Sequence, residues 1–201
     1  MAVLLYDNPL SGNCYKVRLI LALLGIEFER REVSVVEYSE RLQTLAGLSP
    51  TLNIPTVVLE DGRPLAESNA ILWYFAEGSR YLPDDGYERG QVLQWLFFEQ
   101  YKHEPGIAVP RFWDTIAPDH FPRPDDLEAR RQSGREALKA MERHLRKRRY
   151  FIGERLTIAD LGLYAYTHVA NEAGFDLEPL PATRAWLERV AAEPGWIAIG
   201  D

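Results

Sequence analysis

The chain has 201 residues, 46% hydrophobic and 26% charged, which is enough apolar material for one large domain or two small ones. A formal net charge of -7 and a pI near 5.2 argue against the basic face of a nucleic-acid binder. The single cysteine, Cys14, excludes an internal disulfide framework and a multi-cysteine zinc site. No apolar run reaches membrane-span length, and Met1–Leu10 lacks the basic flank and long apolar stretch of a signal peptide, so the expectation is a cytoplasmic protein with no membrane partner.

Val3 to Tyr6 is an apolar run short enough for a buried strand, and Asp7 to Gly12 is turn chemistry. Val17, Ile20, Leu21 and Leu24 then recur at helical spacing until Gly25. Ser11 and Asn13 therefore fall where a helix begins, and unpaired N–H groups there stabilise an anion such as a thiolate. Phe28 to Val36 reads as a more exposed strand, and Tyr38 to Leu48 as a short helix closed by Ser49-Pro50. Ile54-Pro55 opens another strand, and Asp61-Gly62 predicts a hairpin between Thr56–Glu60 and Arg63–Leu65. Ser68 is placed to cap a helix with Ala70, Ile71, Tyr74 and Phe75 on its apolar face, and Gly78 ends it. This order predicts a mixed sheet with helices over residues 1–78.

Residues 79–88, with Pro83, Asp84, Asp85 and Gly86, read as a linker, and 89–201 as all helix. Arg89 to Glu104 is the first of these helices, separated by proline-bearing turns near Pro110, Pro118 and Pro122 from a second over Asp125 to Arg149. Thr157-Ile158-Ala159-Asp160 fits a capping box, with aspartate in the usual Glu or Gln place, ahead of a helix apolar nearly all round. Thr183 to Glu193 is a last amphipathic helix. The four histidines, His103, His120, His144 and His168, have no metal-ligand spacing, so no metal is expected.

Four stretches in this order resemble the bacterial cytosolic glutathione S-transferases: the strand leading into Pro9-Leu10-Ser11-Gly12-Asn13; Ser49-Pro50 with Ile54-Pro55; Glu67-Ser68-Asn69-Ala70-Ile71; and Leu156-Thr157-Ile158-Ala159-Asp160. Phe97 to Pro105 is similar to the fourth helix of a bacterial subgroup. The resemblance implies an α/β thioredoxin-like domain with a mixed four-stranded sheet, followed by an all-α helical-bundle domain. It implies glutathione as co-substrate, a cis Pro55, and backbone pairing of Ile54 with the cysteinyl part of the tripeptide. Glu67 matches the residue that takes the γ-glutamyl ammonium, and Ser68, with the N-terminus of its helix, the carboxylate. Plain helix capping by Ser68 is compatible with that role. Relatives carry a glycine in the loop before the cis proline where this chain has Ser49-Pro50-Thr51-Leu52-Asn53, so the loop is expected to bend differently.

Ser11 is the candidate for the chemistry, donating a hydrogen bond to the glutathione sulfur; simple capping of the first helix is the other reading. Asn13 matches an asparagine that assists or replaces the hydroxyl in some relatives, or is only a helix-start residue. Ser11-Gly12-Asn13-Cys14 stands where a redox Cys-x-x-Cys would, so an enzyme disulfide within one chain is excluded, and Cys14 is expected to be buried. An electrophile pocket is expected between the domains, with Tyr101, His103, Arg111, Phe112 and Trp113 as candidate wall residues. The leading expectation is a glutathione transferase acting on small apolar electrophiles, as a homodimer. The alternatives are a glutathione-dependent disulfide or peroxide reductase, and a non-catalytic glutathione-binding or interaction module.

Overall fold

The computed structural model describes residues 2–119 and 122–201, so His120 lies outside the described residues. The chain gathers into two compact units. One runs to Ser79 and takes in Pro194–Asp201; the other is Arg80–Glu193.

The first unit runs β1 (Val3–Asp7), α1 (Gly12–Leu24), β2 (Phe28–Glu32), α2 (Tyr38–Leu45), β3 (Thr56–Val58), β4 (Pro64–Ala66) and α3 (Ser68–Ala76). The strands lie in the order β2-β1-β3-β4, with β1 and β2 parallel and the other pairs antiparallel. Apolar β1 is central and largely buried, whereas β2, with sequence FERRE, is an exposed edge whose charges blunt further pairing. β2 stops at Glu32, short of Val36, because Val33 turns inward to pack with Tyr6 and Leu45. α2 likewise ends at Leu45 rather than Leu48, the N–H groups of Leu48 and Ser49 both closing onto the Leu45 carbonyl. The Asp61-Gly62 hairpin forms as expected, with Asp61 Oδ1 accepting the Arg63 N–H and Thr56 opposite Ala66.

Residues after Glu193 return to this unit. Tyr15 Oη donates to the Ile197 carbonyl at 2.7 Å, Arg18 to that of Ile199, and Arg30 to that of Asp201 at 2.7 Å. Arg18 and Arg30 also share the buried Asp7 carboxylate, so one ion cluster joins β1, α1, β2 and the returning segment.

The second unit is helical: α4 (Gly86–Phe98), α5 (Glu104–Arg111), α6 (Leu127–Leu145), α7 (Ile158–Thr167) and α8 (Pro181–Ala191). All ten residues of α7 are buried, as its nearly unbroken apolar sequence implies. Asp160 fastens it. Its Oδ1 accepts from the Phe151 N–H and Trp186 Nε1, both at 3.0 Å, and its Oδ2 from the Thr157 N–H at 2.9 Å and hydroxyl at 3.1 Å.

The proline-bearing turn expected near Pro110 is not a break. The helix passes from α4 through a π-helical segment (Glu99–His103) into α5, and through another (Phe112–Ile116) beyond it. Pro105 and Pro110 lack the N–H that an α-helix needs, and wider pairing, such as the Ala117 N–H to the Phe112 carbonyl, carries the chain past them. Pro110 frees the Gly106 carbonyl, and that side of α5 lies against Gly134 of α6. A Cβ on Gly106 would come within 2.5 Å of the Gly134 nitrogen, backbone against backbone with nothing flexible to yield. Gly106→Ala is therefore expected to destabilise the protein by about 3 kcal/mol and lower the melting temperature by roughly 6–12 °C. An unchanged thermal unfolding curve would disprove so close a contact.

Candidate active site at the first strand-to-helix turn

The turn between β1 and α1 is held from several directions. Asn8 Nδ2 donates to the Val33 carbonyl at 3.0 Å, its Oδ1 accepts the Leu10 N–H at 3.1 Å, and its carbonyl accepts the Ser11 N–H at 3.1 Å. Beneath it, the Arg18 guanidinium spans the Asp7 carboxylate and the carbonyls of Asn8 (3.3 Å) and Pro9 (3.4 Å). Ser11 ends the turn with extended backbone, and its Oγ accepts the Cys14 N–H at 3.2 Å. The capping reading of Ser11 is thus realised. Capping uses a lone pair of the oxygen and leaves the hydroxyl hydrogen to a second partner, an arrangement suited to an anion at the helix N-terminus.

Cys14, one turn further along, is fully buried. Burial, reinforced by the nearby Asp7 carboxylate, pushes its thiol up to about 12. It is therefore a small apolar core residue and not a nucleophile at neutral pH.

Asn13 faces α3: the Ser68 hydroxyl donates to Asn13 Oδ1 at 3.1 Å and accepts from Lys16 Nζ at 3.3 Å. The helix cap falls to Glu67, and Ser68 is the first helical residue, in place of the cap expected of it. The reason is the backbone at Glu67, whose φ of 71° turns the chain directly out of β4 into α3. A non-glycine residue held there costs about 1–3 kcal/mol, and such strain concentrates where a side chain or N–H must be presented. Glu67 is exposed beside the first turn of α3, while Lys16 is wholly buried beneath it. The sequence reading did not single out Lys16, although two cations, Lys16 and Arg18, within the largely apolar α1 were the available signal.

The Ile54–Pro55 peptide is cis. The β3 ladder begins at Thr56, so the backbone of Ile54 lies just beyond the pairing. The loop before it does bend in its own way. Ser49 Oγ accepts the Asn53 N–H at 3.3 Å, Thr56 Oγ1 donates to the Asn53 carbonyl at 2.7 Å, and Leu52 takes a φ of 55° while packing on the cluster around Tyr6.

The five aromatic and polar residues proposed for the electrophile wall behave differently from one another. Tyr101 is 84% exposed. Phe112 and Trp113 are half-buried and meet edge to face at 5.3 Å. His103 is wholly buried, 2.8 Å from Thr167 Oγ1, whose own hydrogen goes to the Leu163 carbonyl, so His103 Nε2 carries the proton. Arg111 is buried and paired with Glu172 at 2.7 Å. Among the described residues, no group of three or more His, Cys, Asp or Glu side chains is placed to hold a metal ion. No helix among them is long and apolar enough to cross a membrane.

Residues 10–77 match the model of the glutathione S-transferase N-terminal domain, and 99–194 that of the C-terminal domain. A solved glutathione S-transferase from Pseudomonas fluorescens Pf-5 is 41% identical, with all of both chains covered and a TM-score of 0.93. A second structure, a glutathione transferase family member from the same source with two glutathione bound, is 26% identical, covers 96% of this chain and 90% of its own, and gives a TM-score of 0.80. The Escherichia coli disulfide-bond oxidoreductase YfcG is 26% identical over 94% of this chain and 90% of its own. Sheet order, the strand-to-helix turn and both domain matches agree: the chain belongs to the glutathione S-transferase family.

Proposed function

We propose that this protein binds glutathione at the Ser11 turn, stabilises its thiolate there and adds the sulfur to a small apolar electrophile. The observation that carries the reading is the Ser11 hydroxyl, fixed by the Cys14 N–H at the start of α1 with its own hydrogen left to point at an incoming anion. The thiol gives its proton to solvent and the sulfur lone pair forms the new C–S bond. The leaving group departs with its electron pair, or, in an addition, the electrophile takes a proton from water. Positioning and thiolate stabilisation then supply the rate.

The tripeptide lies along Ile54 as an added strand, with Pro55 shaping that edge. Its ammonium meets Glu67, and its γ-glutamyl carboxylate meets the N–H groups opening α3, with the Ser68 hydroxyl exchanging Asn13 for the ligand. Buried Lys16 makes that end of the site favourable to a negative group. Tyr101, Phe112 and Trp113 offer accessible apolar surface to the electrophile, whereas His103 and Arg111 shape the helix that carries them.

The test is a glutathione titration followed by conjugation to an activated aryl halide. Saturable binding with turnover is the expected result; absence of binding at millimolar glutathione would overturn it. A second reading, glutathione-dependent disulfide reduction, is favoured by the similarity to the oxidoreductase and to the structure with two glutathione bound. With Cys14 closed to chemistry, two glutathione molecules would supply both electrons, leaving as glutathione disulfide while the substrate disulfide becomes two thiols. Disulfide turnover without conjugation would select this second reading.

The homodimer is part of the proposal. Leu93 (38% exposed) and Phe97 (67% exposed) stand one turn apart on α4 and leave an apolar stripe suited to a second copy. Sedimentation is expected to give twice the 23.0 kDa chain mass, shifting toward the single chain in Phe97→Glu. A single-chain mass for the wild type at micromolar concentration would refute the dimer.

A further inference from the structure

Pro194–Asp201 returns to the first unit as a strap along α1, and its course is fixed at both ends. Gly195 turns it with a φ of 89°, where a Cβ would lie 3.3 Å from the Ala22 carbonyl oxygen and 3.5 Å from Leu23 Cα. Further on, the Ala198 N–H donates to Asp201 Oδ2 at 2.7 Å and the Asp201 N–H to the Ala198 carbonyl at 3.2 Å, closing a tight loop that contains Ile199. Trp196, Ile197 and Ile199 are half-buried.

The strap offers its carbonyls to donors that also hold the Ser11 turn. Arg18 is wholly buried. Its Nη1 serves the Asp7 carboxylate and the Asn8 carbonyl, its Nη2 is divided between the carbonyls of Pro9 and Ile199, and its Nε finds no acceptor among the described residues. The two Nη groups alone therefore orient the guanidinium, which is planar and rigid. On the far side of Arg18, the Asn8 carbonyl accepts the Ser11 N–H at 3.1 Å. An unbroken line of hydrogen bonds thus runs from Ile199 through Arg18 and Asn8 to the residue that carries the hydroxyl. Tyr15, whose own N–H caps onto the Ser11 carbonyl at 2.9 Å, is tied to the same strap at Ile197.

Resting on the glutathione reading of the Ser11 turn, we infer that the strap positions that turn: Ile199, acting through Arg18, sets the direction of the Ser11 hydroxyl and so the ionisation of the bound thiol. Arg18 and Ile199 do not touch the sulfur and are positioning residues. With Ile199 displaced, water replaces its carbonyl on Arg18 Nη2, the guanidinium plane tilts, and the carbonyls of Asn8 and Pro9 lose their fixed donor. The Ser11 hydroxyl then samples more directions, and a hydrogen bond weakens steeply as its angle degrades. A preorganised donor is worth more to a developing or resting anion than one that must be ordered when the ligand arrives.

The test is the ultraviolet thiolate absorbance of bound glutathione against pH, with conjugation rates, for the whole chain and three variants. Gly195→Val displaces the strap at its bend and alters no side chain of the turn. Arg18→Lys keeps a cation beside Asp7 but replaces the planar fork by a point charge. Asp201→Ala only opens the loop at Ile199 and is the mildest change. Gly195→Val and Arg18→Lys are each expected to raise the bound thiol pKa by about half to one unit and to slow conjugation at neutral pH by roughly three- to tenfold, with Asp201→Ala smaller in the same direction. The deficit vanishes above the pKa of the free thiol, where the sulfur ionises unaided. The double variant Gly195→Val/Arg18→Lys is expected to shift the pKa no further than the larger single variant, because both changes break one line of contacts. Additive shifts would overturn the route through Arg18. A lowered melting temperature with the thiol pKa unchanged in all three variants would reduce the strap to a structural element and overturn the inference alone. A wild-type chain that binds no glutathione would overturn the transferase reading and this inference together.

Discussion

Replacing Ser11 by alanine is expected to raise the thiol pKa of bound glutathione by about one to two units and to slow conjugation at neutral pH by roughly ten- to a hundredfold. That range is the worth of one hydrogen bond to a charged acceptor, about 1.5–3 kcal/mol. The helix N-terminus survives the substitution, so part of the thiolate stabilisation remains. The lost cap costs about 1 kcal/mol of stability, which thermal unfolding reads separately from the thiolate absorbance. If the pKa of the bound thiol is unchanged in Ser11→Ala, the hydroxyl is only a cap. Thiolate stabilisation then falls to Asn13 or to the backbone N–H groups of α1.

The second large effect lies in the helical unit. Asp160→Ala leaves the Trp186 indole N–H and the Phe151 and Thr157 amides buried without the acceptor they share, and is expected to destabilise the protein by about 3–5 kcal/mol at neutral pH. The melting temperature then falls by roughly 10 °C or more. The pH dependence has a definite sign. Burial pushes the Asp160 carboxyl up to about 6 against its donors, above the value it has in the unfolded chain. A raised carboxyl favours the folded state at acid pH, and that contribution is lost as pH rises from near 4 through about 6. The stability gap between wild type and Asp160→Ala is therefore expected to widen on acidification from pH 7 toward pH 4, by on the order of 2–3 kcal/mol. A gap that narrows over that range in denaturant titrations would show that the donors, not burial, control the group.

The parts of the fold that were legible are those dictated by local chemistry. The strand, turn and helix at Val3–Leu24 follow from an apolar run, turn residues and helical spacing, and the β3–β4 hairpin from Asp61-Gly62. Buried α7 follows from a sequence with no polar face. What was not legible depends on contacts made elsewhere. Pro110 reads as a helix stop, yet the backbone contact of Gly106 with Gly134 and the wider π-type pairing carry the helix past it. Ser68 reads as a cap, and only the φ of 71° at Glu67 moves it into the helix, where its hydroxyl serves Asn13 and Lys16. His103 and Arg111 have the residue types of a ligand wall, but Thr167 and Glu172, about sixty residues further along the chain, claim them. The places of Ser11 at the start of α1, Glu67 before α3 and Ile54-Pro55 before β3 were readable; the hydrogen bonds that fix their surroundings were not.

Glu193 is followed by residues that belong with β1, α1 and β2, and this placement has a consequence for synthesis. On the ribosome, Val3–Ala76 emerges first and can form its sheet while Arg80–Glu193 is still being translated. The carbonyls of Ile197, Ile199 and Asp201, which satisfy Tyr15, Arg18 and Arg30, arrive only after every helix of the second unit has been made. Of the polar groups that cradle the turn, the Arg18 guanidinium thus gains its last acceptor late. Until that segment is in place the Arg18 guanidinium lacks its Ile199 acceptor and is open to solvent on that side, so the geometry around Ser11 matures after its own strand and helix are complete.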